Sequence, residues 1–188
     1  MQEIRFHGRG GQGTVVAAIL LAKAYFRAGY YVQTFPLFGV ERRGAPVEAY
    51  LRLDKKKILV RSNIYTPDHI IVQDINILQH VDVTGGLRPR GWILLNAPRP
   101  PENLEAFSGF RLAWVDATRI AMENDLGTRT QPMINTAMIG AFARIMDEPA
   151  MDMISEAITG EISIQPADNI RASLQAYESV KIHGDLNK

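Results

Sequence analysis

A chain of 188 residues can build one well-cored domain but not two large ones. Its composition is ordinary globular, 46% hydrophobic and 22% charged, and a net charge of +1 gives no global field toward nucleic acid or an acidic lipid surface. The chain has no cysteine, which excludes disulfides, a cysteine nucleophile and thiolate-held iron–sulfur clusters within it.

Residues 3–7 predict a buried strand. A loop with four glycines in six residues follows, Gly8-Arg9-Gly10-Gly11-Gln12-Gly13, and then an apolar helix over 14–28. This is a strand–glycine loop–helix unit, whose amide groups and helix start can accept an anion. Lys23 and Arg27 mark the one wet stripe of the helix, where positive charge suits the dipole, and Gly29 suits the position after its end. Such an apolar helix needs cover from a sheet and from a further surface, another subunit included. Its apolar run is far shorter than the roughly 20 residues of a membrane span, and no signal peptide is recognised, so a cytoplasmic chain is expected.

Residues 30–35 predict the second strand of a βαβ unit. After a loop at 36–44, alternation in Val47, Ala49, Leu51 and Leu53 predicts a strand, and 58–61 a second one paired with it as a hairpin across Asp54-Lys55-Lys56-Lys57. The three lysines read as a solvated tip. Aliphatic runs at 68–74 and 92–96 predict buried parallel strands, with a short helix capped by Asp74 after the first. Pro98, Pro100 and Pro101 interrupt regular structure, and 110–116 predicts a further strand. Helices are predicted over 117–125, 135–147, 151–158 and 167–180. The expected class is α/β: a three-layer, mostly parallel (mixed) Rossmann-like sheet with helices on both faces and one β-hairpin. A single domain over 1–183 and a frayed tail at 184–188 are expected.

Gly8, Gly10 and Gly13 fit the dinucleotide spacing, but that pattern also wants an acid about 20 residues on, at the end of the second strand. Gln33 and Thr34 stand there, which counts against NAD. No Gly-Lys-Ser/Thr follows, so the loop is not a P-loop. It either cradles phosphate or only lets strand and helix pack closely. The second loop carries Glu41-Arg42-Arg43-Gly44. Its guanidinium groups suit phosphate or carboxylate, or else pair internally with Glu41. Both loops follow strands at their C-terminal ends and share one predicted rim, where open α/β sheets bind ligands. Asn135 is either an N-cap or a polar contact to a ligand or a neighbouring subunit. The histidines show no metal spacing. His7, beside the loop, reads as structural. No catalytic centre of its own is evident.

Taken together, I-R-F-H-G-R-G-G-Q-G-T at 4–14, V-Q-T-F-P-L-F-G-V-E-R-R-G-A-P-V at 32–47, P-D-H-I-I-V-Q-D at 67–74, the strand ending at Asn96 and I-N-T-A-M-I-G at 134–140 resemble the gamma subunit of 2-oxoacid:ferredoxin oxidoreductases, of which the pyruvate enzyme is best known. The resemblance covers nearly the whole chain. It implies a complex that oxidatively decarboxylates a 2-oxoacid, passes electrons to ferredoxin and forms an acyl-CoA. It implies alpha, beta and delta partner subunits holding thiamine diphosphate, Mg²⁺ and 4Fe-4S clusters, and a gamma chain that holds no cofactor alone and partly binds coenzyme A. The matching positions are Gly10, Gly11, Gln12, Gly13, Thr14, Arg42, Arg43 and Asn135. Pyruvate is the default substrate. Phenylglyoxylate, indolepyruvate or 2-oxoisovalerate are the alternatives, as is a purely structural role. No nucleic-acid or membrane partner is implied.

Overall fold

The computed structural model describes residues 1–37 and 44–184. The arginine pair Arg42 and Arg43, and most of the predicted tail, lie outside the described residues.

The order of elements is β1 (Gln2–Arg9), α1 (Thr14–Arg27), β2 (Tyr31–Leu37), β3 (Pro46–Asp54), β4 (His69–Val72), β5 (Trp92–Asn96), β6 (Arg111–Val115), α2 (Ala117–Glu123), β7 (Gly127–Thr128), β8 (Gln131–Pro132), α3 (Asn135–Met146), α4 (Met151–Glu161), α5 (Pro166–Ser179) and β9 (Lys181–Ile182). Short 3₁₀ helices at Ile75–Gln79 and Leu104–Phe107 complete it. Asp74 caps the first of these by accepting from Asn76 N–H, as the sequence predicts.

Seven strands form one sheet in the order β2-β3-β1-β4-β5-β6-β9. β1, β4, β5 and β6 are parallel, while β3 runs antiparallel between β1 and β2. The βαβ unit is therefore split: β1 and β2 point the same way with β3 between them. The predicted hairpin of 58–61 with the 45–53 strand does not form. Both edges of β3 are already hydrogen-bonded, one to β1 and one to β2, so no edge is left for 58–61. A small hairpin, β7–β8, forms elsewhere.

Helices lie on both faces, unequally. All five α-helices pack on one face, where Ile4, Phe6, Leu51 and Leu94 meet Leu20, Leu21, Met138 and Phe142. The two 3₁₀ helices and their loops cover the other face over β4–β6, where Ile70, Val72, Ile93, Leu95 and Trp114 meet Ile77, Val83 and Phe107. Burial on both faces explains the unbroken aliphatic runs of these parallel strands. α3 is sunk between the sheet and its neighbours, with only Arg144 and Met146 among its twelve residues not buried. The wet stripe of α1 faces α4, with Lys23 paired to Glu161 and Arg27 Nε 3.3 Å from Glu156.

Over β1 and β3 the second face is polar yet buried, because the strands alternate. Arg52, 1% exposed, donates from Nε to Glu3 at 2.7 Å, from Nη1 to Gln33 at 3.1 Å and from Nη2 to the Asn63 carbonyl at 3.2 Å. Arg5 donates from Nε to His7 Nε2 at 3.0 Å and from Nη2 to the Val83 and Gly85 carbonyls at 2.8 Å. These bonds satisfy two cations that burial would otherwise penalise heavily.

Candidate functional site at the C-terminal rim

The C-terminal ends of β1, β4 and β5 carry Arg9, Gln73 with Asp74, and Asn96 to one rim. Gly8 is the penultimate residue of β1. A β-carbon there would sit 2.1 Å from Thr14 Oγ1 and 2.8 Å from Gln73 Oε1, so no side chain fits. In that space the Thr14 hydroxyl donates to Gln73 Oε1 at 2.6 Å, tying the first turn of α1 to the end of β4.

The loop then closes on itself. Gln12 N–H donates to the Arg9 carbonyl at 3.1 Å, and Arg9 N–H to Gln12 Oε1 at 2.8 Å. Gly10 N–H donates to the Ala45 carbonyl at 3.0 Å, and Gly44 N–H returns a bond to the Gly10 carbonyl at 3.3 Å. Gly44 and Ala45, which lead into β3, are thus stitched to the glycine loop. Arg9 donates from Nε to Asp74 at 2.7 Å and from Nη1 to the Gly44 carbonyl at 3.1 Å, so its charge is already balanced.

Gly13 begins α1 at φ 73°, a left-handed conformation, and no side chain caps the helix. Its first-turn amides carry the partial positive charge of a helix start. Asn135 Nδ2 fills the space a Gly13 side chain would need, 2.9 Å from that β-carbon position. Asn135 is 1% exposed, and its Nδ2 has no hydrogen-bond partner. It is not the N-cap of α3. Ile134 holds that position, and the Asn135 carboxamide turns inward, toward α1.

A cleft of about 380 Å³ opens above these elements, between the glycine loop and the β7–β8 hairpin. Gly10, Gly11 and Gln12 line it. Gly13 and Thr14 do not line it, Thr14 being only 2% exposed, and Asn135 borders a second cleft with Val16, Met133 and Gln165. The structure therefore gathers six of the eight candidate residues around one helix start. Sequence reasoning missed Arg9, Asn96, Thr118, Thr130 and Gln131, which line the same cleft. Asn96 donates to Thr118 Oγ1 and to the Gln73 carbonyl, both at 3.0 Å. The polar residues closing aliphatic strands, Asp74 and Asn96, were the available signal. Thr118, Thr130 and Gln131 come from later elements that only folding brings to the rim.

His7 lies beneath the loop, 2% exposed. Burial, then the Arg5 guanidinium, pulls its pKa down to about 3. It is neutral, with Nε2 accepting from Arg5, so the 3.4 Å approach of Nδ1 to Glu48 Oε1 is not an ion pair. It is a structural histidine. Dinucleotide binding loses further ground: Gln33 is spent on Arg52, Thr34 Oγ1 on the Tyr50 carbonyl, and β3 separates their strand from β1. Among the described residues no group of three metal-ligating side chains converges. What the rim presents chemically is a set of amide donors at a helix start.

Residues 3–179 match the family model for pyruvate ferredoxin/flavodoxin oxidoreductase. The chain belongs to that family. It is 46% identical to the pyruvate/ketoisovalerate oxidoreductases common subunit gamma of Pyrococcus furiosus, over 97% of this chain and 98% of that one. Among solved structures it resembles pyruvate oxidoreductase subunit PORC of Thermotoga maritima, with TM-score 0.81 and 33% identity over 97% of this chain and 98% of that one. It also shares its fold with part of the 2-oxoglutarate:ferredoxin oxidoreductase of Magnetococcus marinus, with TM-score 0.71 and 20% identity over 94% of this chain and 30% of that one. That structure holds 2-oxoglutarate, coenzyme A and succinyl-CoA. The resemblance seen in the motifs thus holds over the whole chain, and the seven-stranded mixed α/β fold agrees with the family.

Proposed function

We propose that this chain is the gamma component of a 2-oxoacid:ferredoxin oxidoreductase, with pyruvate as the foremost substrate. Its C-terminal rim holds part of coenzyme A while a thiamine diphosphate intermediate waits on a partner subunit. Alpha, beta and delta subunits carry the thiamine diphosphate, Mg²⁺ and 4Fe-4S clusters, and ferredoxin takes the electrons. This chain contributes positioning, which can supply several kcal/mol toward a bimolecular step, roughly 7–11 at best. The observation that carries the reading is the start of α1. A helix start without a side-chain cap and an unpartnered buried amide, Asn135 Nδ2, lie together directly after the glycine loop that lines the rim cleft. An anionic or carbonyl-bearing ligand suits both donors. Thiol-linked clusters require cysteine, and the chain has none.

The test is steady-state kinetics of the assembled complex. Arg42→Ala with Arg43→Ala, and separately Asn135→Ala, are expected to raise the apparent KM for coenzyme A and leave that for the oxoacid nearly unchanged. Unchanged coenzyme A kinetics in both variants would falsify the positioning role.

A second reading is a purely structural subunit whose rim seals an interface. The Arg9–Asp74 pair, the Gln12 N–H bond to Arg9 and the Gly10 N–H bond to Ala45 favour it, since they leave fewer free donors. On that reading, the same variants alter complex assembly and not the KM for coenzyme A.

A further inference from the structure

The rim opposite the glycine loop carries a different surface. β3 ends at Asp54, with Tyr31 of β2 paired beside it and the N-terminal amine of Met1 3.0 Å from its carboxylate. From this corner the segment 55–61, Lys-Lys-Lys-Ile-Leu-Val-Arg, leaves the sheet without regular structure. Leu59 is 79% exposed, Tyr65 72%, Met1 54% and Tyr31 51%, and Val60 is exposed as well. Lys55 is occupied, its ammonium 3.3 Å from the centre of the Tyr30 ring. Lys56, Lys57 and Arg61 stand exposed, and none of the ion pairs formed among the described residues engages them. The nearby carboxylates are committed, Asp54 to the N-terminus and Asp68 to Arg88 at 3.2 Å.

We propose that segment 55–61, with Met1, Tyr31 and Tyr65 beside it, is the docking strip for an acidic protein surface with an apolar centre, borne by another subunit of the oxidoreductase complex. The inference rests on the reading that this chain works inside such a complex. Three cations without an ion pair among the described residues flank exposed aliphatic groups, which is the arrangement of an interface with an apolar middle and a charged rim. A chain with net charge +1 has no general field that would gather three exposed cations within seven residues. Nucleic acid fits less well, because the exposed middle of the segment is aliphatic, Leu59 and Val60, and a net charge of +1 gives the chain no general field toward a phosphate backbone. A membrane surface fits less well too, because the segment is not an amphipathic helix.

The experiment uses the complex itself, co-expressed with a tag on this chain, and measures the partner subunits retained from 50 mM to 500 mM salt. The K56E/K57E/R61E variant should retain about tenfold less partner at moderate salt and lose the salt dependence of the wild type. Leu59→Ser with Val60→Ser should weaken retention while leaving that salt dependence in place. Both variants change exposed groups, so each isolated chain should melt within about 2 °C of wild type. Wild-type retention by both variants at every salt concentration overturns the proposal. Intact assembly with lost binding to single-stranded DNA, or to phosphatidylglycerol vesicles, overturns it in favour of those partners. If the wild-type chain itself retains no oxidoreductase subunit, the functional reading falls and this inference with it. If only the strip variants behave as wild type, the functional reading stands and the strip alone falls.

Discussion

Replacing Gly8 with alanine should destabilise the chain through one contact at the rim. The new β-carbon would lie 2.1 Å from Thr14 Oγ1 and 2.8 Å from Gln73 Oε1. Overpacking of this kind costs about 1–3 kcal/mol. The overpacking also pushes the Thr14 side chain away, so the buried 2.6 Å bond to Gln73 is lost and a carboxamide whose Nε2 already lacks a partner becomes wholly unsatisfied. That loss costs a further ~1–3 kcal/mol. Removing a strand glycine returns roughly 0.5–1 kcal/mol of backbone entropy. The net loss is about 2–4 kcal/mol, which lowers Tm by roughly 5–15 °C in a domain of this size. Calorimetry of Gly8→Ala, Thr14→Ala and the double variant tests the cause. With the hydroxyl gone, the nearest obstacle at residue 14 is its β-carbon at 3.3 Å, and Gln73 is free to shift. Gly8→Ala should then cost about 1 kcal/mol or less, a coupling well above the scatter of independent sites. Equal cost in both backgrounds would refute the reasoning.

Three further predictions follow from the buried polar groups and the site. Arg52→Met leaves Glu3 unpaired under the sheet and should cost about 3–5 kcal/mol in urea unfolding, whereas Arg52→Met with Glu3→Leu should recover most of it. No recovery would mean that the Gln33 and Asn63 bonds dominate. Burial holds His69 at a pKa of about 4, and burial with Arg5 holds His7 at about 3, both below the unfolded value near 6.5. The unfolded chain therefore takes up protons first, and the stability present above pH 6.5 is lost as pH falls toward 4, by up to about 1.4 kcal/mol per pH unit for each histidine. His7→Gln should flatten that slope between pH 6.5 and 4.5, and an unchanged slope would exonerate His7. At the rim, Asn135→Asp places a carboxylate against the start of α1 and should weaken coenzyme A more than Asn135→Ala does, read as KM in the assembled complex. The reverse order would argue against a phosphate or carbonyl near that amide.

Much of the architecture was legible because its physics is local. The aliphatic runs at 70–72 and 93–95 are continuous since those strands are buried on both faces, and the observed β4 and β5 match the prediction closely. The glycine loop, the cap at Asp74 and the stop at Gly29 declare themselves through backbone rules that need no tertiary context. The 58–61 strand was misread because Ile58, Leu59 and Val60 have strong strand propensity, and propensity does not reveal that both edges of β3 are already occupied. Asn135 was weighed as a cap because its type and place suit one. Its real environment depends on α1, more than a hundred residues earlier in the chain, whose Gly13 leaves room for the carboxamide.

The sequence by itself determined the class of fold, the family and the glycine-rich rim, because strand period, turn chemistry and motif spacing are properties of neighbouring residues. Tertiary structure alone decided that β3 enters between β1 and β2, that Arg9 is neutralised by Asp74, and that Asn96, Thr118 and Gln131 join the glycine loop around one cleft. It also decided that Arg5, His7 and Arg52 are buried, since nothing in an alternating strand says whether its polar face meets water or a covering loop. Pairing partners far apart in the chain are selected by which edges and faces remain open after the others have formed, and that competition is settled only in the folded molecule.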